Sequence, residues 1–255
     1  MQAPKLSIIT INLNNSKGLL KTIESVVSQT YRNFEFIIID GASKDESLQV
    51  IERFAKELTS WVSEKDSGVY NAMNKGIGRA KGDHLLFLNS GDYLNNPEVI
   101  KDVLPLLKGN DLISGDIDIY DQNSWHPMRS IDKIEVDHFQ HFSLYHQATF
   151  ISADLFKKYG LYNEEFKSVG DLEFFIRTLL AGNASYKHIA LKISNFVADG
   201  MSNDPGMFEL NKKERAKAWE LNFEKNIIEE LDSYRQLRNS DLMKWGRRLN
   251  KLLPF

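Results

Sequence analysis

Asp92 closes the stretch FLNSGDYL (Phe87–Leu94), in which mostly apolar residues give way abruptly to Asn-Ser-Gly-Asp. A carboxylate delivered on a polar turn after a buried strand is a hard oxygen ligand, suited to Mg2+ or Mn2+. One carboxylate is too few for an all-protein cage, but it is enough where substrate phosphates and waters complete the coordination. Two other apolar runs end the same way, at Thr10-Ile11-Asn12 and at Asp40-Gly41-Ala42-Ser43. Ligands of open parallel sheets sit beyond the carboxyl ends of the strands, so three neighbouring strands would turn these clusters into one crevice. Gly41 and Gly91 let the backbone turn sharply there. Taken singly, each cluster is also what an ordinary strand-ending turn looks like. Neither GxGxxG nor GxxxxGK[ST] occurs, which disfavours dinucleotide oxidoreductases and P-loop enzymes. His126, His138 and His141 do not fall at a metal-binding spacing.

The elements that must position these residues follow from hydrophobic periodicity. Lys5–Asn12 (KLSIITIN), Phe34–Asp40 (FEFIIID) and His84–Leu88 are short runs typical of buried strands. Between them, Leu19, Leu20, Ile23, Val26 and Val27 form a helical stripe, as do Leu48, Ile51, Phe54, Ala55 and Leu58. A short strand near Trp61 and a helix over Val69–Ala80 complete this half. Strands alternating with helices predict a mostly parallel sheet covered on both faces. After Asn96 the rhythm changes. A helix is expected over Pro97–Leu107, a strand over Asp111–Tyr120, and irregular chain over Asp121–Phe142. A short strand over Ala148–Ile151 and a helix near Asp154–Tyr159 follow. GDLEFFIRTLLA (Gly170–Ala181) predicts a helix stopped by Gly182-Asn183, and Tyr186–Val197 supplies one or two strands. From Pro205 the chain is charged and helical.

The 255 residues carry 42% hydrophobic and 26% charged side chains, the balance of an ordinary soluble globular protein. A net charge of −3 argues against a general nucleic-acid partner. The absence of cysteine excludes disulfides, thiolate catalysis and cysteine-ligated zinc, and agrees with a cytoplasmic location. No segment approaches the roughly 20 apolar residues that a membrane span needs.

The motif order LSIITIN…SVVSQTYRNFEFIIIDGASKD…EKDSGVYNAMNKGIGRAKGDHLLFLNSGDYL resembles glycosyltransferase family 2 over most of residues 5–200. The resemblance implies a GT-A (Rossmann-like) α/β fold and an inverting transfer from a nucleotide-diphosphate sugar, with Mn2+ or Mg2+ as cofactor. It places Thr10 and Asn12 beside the nucleoside and Asp40 on the base, usually uracil, whose N3–H a carboxylate can accept. Asp66 matches a second acidic position facing the nucleotide, and Asn74 and Lys75 open toward the phosphates or ribose. Lys75 also reads as a solvated helix residue, and Asn74 and Tyr70 as helix packing. Residues 89–92 match the family's Asp-rich metal motif with two departures: Asn89 stands for the first Asp and Gly91 for the third position. Only Asp92 remains to touch the metal, with Asn89 and Ser90 left for the sugar or ribose.

Inverting transfer needs a carboxylate that takes the proton of the acceptor hydroxyl as the new bond forms. VGDLEFFIRTLLAG resembles the family's Glu-Asp motif, which makes Asp171 the base and puts Arg177 at the family's Arg position; Gly170 replaces the usual Glu. Asp171 also reads as a helix cap, and a helix N-terminus favours its negative charge. Glu173 orients neighbours or faces solvent. His146-Gln147 either lines the acceptor or phosphate side or is an ordinary loop histidine. Asp199-Gly200-Met201-Ser202 resembles a segment that closes over the diphosphate, with Ser202 donating a hydrogen bond.

The expected organisation is a GT-A domain at 1–204, divided into a nucleotide-binding half (1–96) and an acceptor half (97–204), and a helical C-terminal extension at 205–255. The expected acceptor is a saccharide or polyprenyl-linked saccharide in cell-surface polysaccharide synthesis. The basic, amphipathic end at 243–255 reads either as contact with the inner face of a membrane or as packing on the domain or on a second subunit. Two rivals remain. A sugar-phosphate nucleotidyltransferase would want a Gly-rich basic loop after the first strand, where NLNNSKG is a poor match. A non-catalytic nucleotide-sugar-binding or assembly protein would tolerate Asn89 and Gly170.

Overall fold

A computed structural model describes residues 6–121, 123–197 and 205–239. The first half follows the alternating rhythm. Strands β1 (Leu6–Asn12), β2 (Glu35–Asp40), β3 (Ser60–Ser63) and β4 (His84–Phe87) are separated by helices α1 (Ser16–Val27), α2 (Ser47–Arg53) and α3 (Val69–Arg79). All three pairings among these strands are parallel. Side chains alternate across the sheet. Leu6, Ile8, Phe36, Ile38 and Leu86 pack with α1 and α2 on one face, and Ile9, Ile11, Ile37, Ile39, Leu85 and Phe87 join the apolar cluster on the other. Burial on both faces explains why these strands read as continuous apolar runs.

The second half adds β5 (Tyr93–Leu94), α4 (Val99–Val103), β6 (Leu112–Asp121), β7 (Ser124–Met128), α5 (Val136–His141), β8 (Thr149–Ser152), α6 (Ala153–Tyr159), α7 (Gly170–Phe175) and β9 (Tyr186–Val197). The sheet runs β3-β2-β1-β4-β8-β6-β9-β5, with β7 paired to β6. Here the parallel rule stops. β8 lies antiparallel to both β4 and β6, and β5 antiparallel to β9, while β6 and β9 are parallel. The stretch expected to be irregular, 121–142, contains β7 and α5. Helix α7 continues as a π-helical turn over Ile176–Ala181.

Two further helices, α8 (Phe208–Glu220) and α9 (Lys225–Asn239), follow. Ala218 and Trp219 of α8 are buried in the same apolar cluster as Leu172, Phe174 and Phe175 of α7. Ser202 and the 243–255 tail lie outside the described residues. No helix among the described residues is long and apolar enough to cross a membrane.

Candidate active site

The strand order reverses direction between β1 and β4, and the crevice beyond the carboxyl ends at such a point is where open sheets bind ligands. Asn12 and Asp40 are register partners at the ends of β1 and β2, and the turn 89–92 follows β4. Short polar ties brace the three loops. Asn15 caps α1 through Gly18 N–H and donates from Nδ2 to the Ser90 carbonyl at 3.1 Å. Thr22 of α1 donates to the Asp92 carbonyl at 2.6 Å and accepts from Gly91 N–H at 3.0 Å. Gly91 has φ +108, which an L side chain rarely adopts. The turn carrying Asp92 is therefore held from α1, a tie the sequence reading missed.

Asp40 is fully buried. Its Oδ1 accepts from Asn12 Nδ2 (2.8 Å) and Ser43 Oγ (2.5 Å), and its Oδ2 from Ser43 N–H (3.0 Å) and Ser63 Oγ (2.6 Å). Burial works against its charge, but the donors of Ser43, Ser63 and Asn12 outweigh burial and hold its carboxyl below the usual range. All four of its acceptor positions are occupied by the protein. The expected hydrogen bond from a base N3–H therefore has no open lone pair on Asp40 in this arrangement. Asp66 lies beside it: one oxygen accepts from Gly68 N–H at 3.1 Å, and the other is close enough to Gly41 that a Cβ there would sit 2.5 Å from it.

Other expected residues are engaged within the protein. Thr10 is completely buried and donates to the Leu88 carbonyl at 2.8 Å, so it joins strand ends and does not line the crevice. Asn74 donates to the Tyr162 carbonyl and to Glu164, both at 2.9 Å, and accepts from Tyr162 N–H at 3.1 Å. Its amide fastens α3 to the 162–164 loop. Lys75 pairs with Glu64 at 2.9 Å and donates to the Lys65 carbonyl at 2.8 Å. Arg177 clamps Glu173 through two 3.0 Å contacts and donates to the Leu161 carbonyl at 2.9 Å, with a further bond to Tyr159. Glu173 is buried, and solvent does not reach it.

Asp171 does not cap α7; Val169 occupies that position, with no side-chain capping bond. The Asp171 carboxylate instead accepts from the Tyr70 hydroxyl at 3.2 Å through Oδ1, while Oδ2 lies 3.5 Å from His146 Nδ1. Burial, and then the Asp171 charge, push the Tyr70 phenol well above its ordinary value, so it stays a donor. Gly170 explains its own departure from the family's Glu: a Cβ there would meet the Tyr70 ring at 2.8–2.9 Å. Burial opposes a charge on His146. The hydrogen bond and charge of Asp171 and the charge of Asp92 prevail and raise its pKa. The imidazole thus lies between the turn that carries Asp92 and the start of α7 that carries Asp171, 79 positions apart in the chain. His146, which sequence reasoning left undecided, is the residue that bridges Asn89 and Asp171.

Asp92 is 6% exposed. No group of three or more His, Asp or Glu side chains among the described residues is placed to hold a metal. The donor set fits a divalent ion only as one protein carboxylate shared with the oxygens of a diphosphate and water. A separate cleft of about 570 Å3, lined by Gly82, His84, Asp111 and Asp154 among others, lies at the opposite end of β4, and no expected site residue lines it.

A twisted α/β sheet with acidic turns gathered at its switch point defines the GT-A class of nucleotide-sugar transferase folds. The chain matches the model of glycosyl transferase family 2 over residues 7–168 and belongs to that family. The matched span ends three residues before Asp171. An uncharacterized glycosyltransferase of Mycobacterium tuberculosis is 34% identical over 193 residues, covering 70% of each chain. A PGL/p-HBAD biosynthesis glycosyltransferase of Mycobacterium bovis is 32% identical over 212 residues, covering 80% of this chain and 81% of the relative. Among solved structures, S. aureus TarS in complex with UDP-GlcNAc aligns with TM-score 0.64 at 20% identity, over 79% of this chain and 61% of that one. The mannosyltransferase PcManGT from Pyrobaculum calidifontis, in complex with GDP-Man and Mn2+, aligns with TM-score 0.57 at 14% identity, over 76% and 56%. At such identities the structures establish the fold. This chain spans about three fifths of their lengths.

Proposed function

We propose that the protein is an inverting glycosyltransferase that moves a sugar from a nucleotide-diphosphate donor, a UDP-sugar, to a hydroxyl of a saccharide or lipid-linked saccharide in cell-surface polysaccharide synthesis. The observation that carries the reading is His146, which meets Asn89 of the Asp92 turn at 3.2 Å on one side and Asp171 at 3.5 Å on the other. A turn suited to the leaving diphosphate and a carboxylate suited to the incoming alcohol thereby face one site. TarS with UDP-GlcNAc and PcManGT with GDP-Man support a nucleotide-sugar donor on this fold.

Asp171 takes the proton of the acceptor hydroxyl as that oxygen attacks the anomeric carbon. Tyr70 holds one oxygen of Asp171, leaving lone pairs directed at the acceptor. Asp92 is the residue that would hold Mn2+ or Mg2+, and a bound ion there neutralises charge growing on the departing diphosphate. Asp66 and Gly41 border the nucleoside end, and Asp40 organises that end from below. Ser202, expected to cover the diphosphate, keeps that role as part of the proposal. So do the division at residue 204 and the contact of 243–255 with a membrane or with a second copy of the chain.

Thermal stabilisation by UDP with and without Mn2+, together with UDP release from UDP-sugars, tests the reading. Asp92→Ala should abolish the Mn2+-dependent part of the stabilisation. Asp171→Asn should keep it while losing turnover. A protein that is stabilised by UDP-sugars yet releases no UDP to water or to any acceptor would be a binding module.

A further inference from the structure

Asn89, His146, Asp171 and Tyr70 form one run of polar contacts. Asn89 Nδ2 lies 3.2 Å from His146 Nε2, His146 Nδ1 lies 3.5 Å from Asp171 Oδ2, and the Tyr70 hydroxyl meets Asp171 Oδ1 at 3.2 Å. An amide nitrogen donates, so Nε2 of the ring accepts and Nδ1 carries the proton toward Asp171. The side chains of His146 and Asp171 are 23% and 16% exposed, so few waters compete for these contacts. Topology sets this arrangement. β8 runs antiparallel to β4, with Leu86 opposite Phe150, so the residues just before β8 lie at the carboxyl end of β4, beside Asn89. The neighbouring 3-10 turn, His146–Ala148, is fixed by Ala148 N–H on the Tyr145 carbonyl at 2.9 Å and by Thr149 Oγ1 on the same carbonyl at 2.8 Å. A carboxylate at position 89 could not donate to Nε2. The Asn89 amide can.

We propose that His146 is a positioning residue for sugar transfer: held by Asn89 on the turn that carries Asp92, it donates from Nδ1 to Asp171 and fixes the orientation of that carboxylate relative to the diphosphate end of the site. The proposal rests on the reading of Asp171 as the base. His146 reaches the reaction through Asp171, so its removal acts on kcat and leaves donor KM nearly unchanged.

The test measures UDP release from UDP-GlcNAc and other UDP-sugars with Mn2+, in variants whose melting confirms folding. His146→Ala should lower kcat on the order of 10²-fold, the cost of a misplaced reacting group, with donor KM within about twofold. His146→Asn places an amide nitrogen where Nδ1 stood and should recover most of the loss. His146→Gln, whose amide reaches only the Nε2 position, should not. In an Asp171→Asn background His146→Ala should cause no further loss, because residues acting as a unit are not additive. An unchanged kcat in His146→Ala, with Asp171→Asn inactive, overturns the proposal alone; so does an equal loss in both backgrounds. Full turnover in Asp171→Asn overturns the base reading and this proposal with it. Long-range 1H–15N spectra of 15N-labelled protein, assigned with His146→Asn, give a readout independent of turnover. A proton on Nδ1 supports the proposal, and a neutral ring protonated on Nε2 alone overturns it.

Discussion

Asp40 is held by the protein at all four of its acceptor positions. Its four hydrogen bonds tie the ends of β1, β2 and β3 together beside the crevice. Asp40→Asn keeps the shape but turns an amide N–H2 toward donors, and should cost about 2–4 kcal/mol given the usual worth of hydrogen bonds to a buried charge. The pH dependence has a definite sign. The folded-state pKa lies below the ordinary 3.8, so the contribution is present in full above that value and is lost as pH falls through the lowered folded value. Chemical denaturation of wild type and Asp40→Asn should give a constant gap between about pH 5 and 8 that narrows only below about pH 4. A gap that grows on acidification would contradict this account. Asp171→Asn is the corresponding test of chemistry. With Tyr70 and His146 still present to hold the side chain, it should lose about 10²–10⁴ in kcat, the range for general-base groups, with little change in UDP binding.

At the scale of elements, α3 and α7 meet through Tyr70, and Gly170 is what allows the meeting. Restoring the family's acidic residue with Gly170→Glu should harm the enzyme. The new Cβ alone would lie 2.8 Å from the Tyr70 ring, and overpacking of this kind costs about 1–3 kcal/mol. Displacing Tyr70 also removes a hydrogen bond from Asp171, so kcat should fall as well. Thermal melts and turnover of Gly170→Ala and Gly170→Glu check both effects; a more active Gly170→Glu would refute the explanation. The same meeting shows which parts of the site were legible in the sequence. Apolar runs with polar ends exposed the three polar turns, two of them acidic, because strands buried on both faces leave a strong local signature. The Asp171 helix was visible by its period. The reversed direction of β8 was not visible, since a four-residue apolar strand reads the same in either direction. His146 therefore looked like a loop residue until β8 was seen to begin at the carboxyl end of β4. Thr10 and Asn74 share the residue types of ligand-binding positions, and only their contacts show that both amide and hydroxyl serve the protein itself.

The whole molecule ties the C-terminal helices to the segment that carries Asp171. Glu214 of α8 accepts from the backbone N–H groups of Lys167, Ser168 and Val169 at 2.7, 2.9 and 3.2 Å, ordering the segment that leads into Asp171. Arg215 donates to the carbonyls of Phe139 and Phe142, and burial lowers its pKa against the opposing pull of Asp171. Trp219, stacked on Phe223 with ring centroids 5.4 Å apart, closes the apolar cluster under α7. The helices that follow residue 204 thus pack on the domain they follow. Trp219→Ala should cost about 3–5 kcal/mol as a buried aromatic truncation, which for a chain of this size lowers Tm on the order of 10 °C. Glu214→Ala should cost about 3 kcal/mol through three orphaned backbone donors, and it should depress kcat more than donor KM because the loss falls on the approach to Asp171. A protein ending at residue 204 loses both supports at once, and its marginal stability of about 5–15 kcal/mol does not cover them with much to spare. Differential scanning calorimetry should find its transition strongly lowered or no longer cooperative. If that fragment melted like the full chain and released UDP at the same rate, α8 and α9 would be an appendage and the support assigned to Glu214 would be wrong.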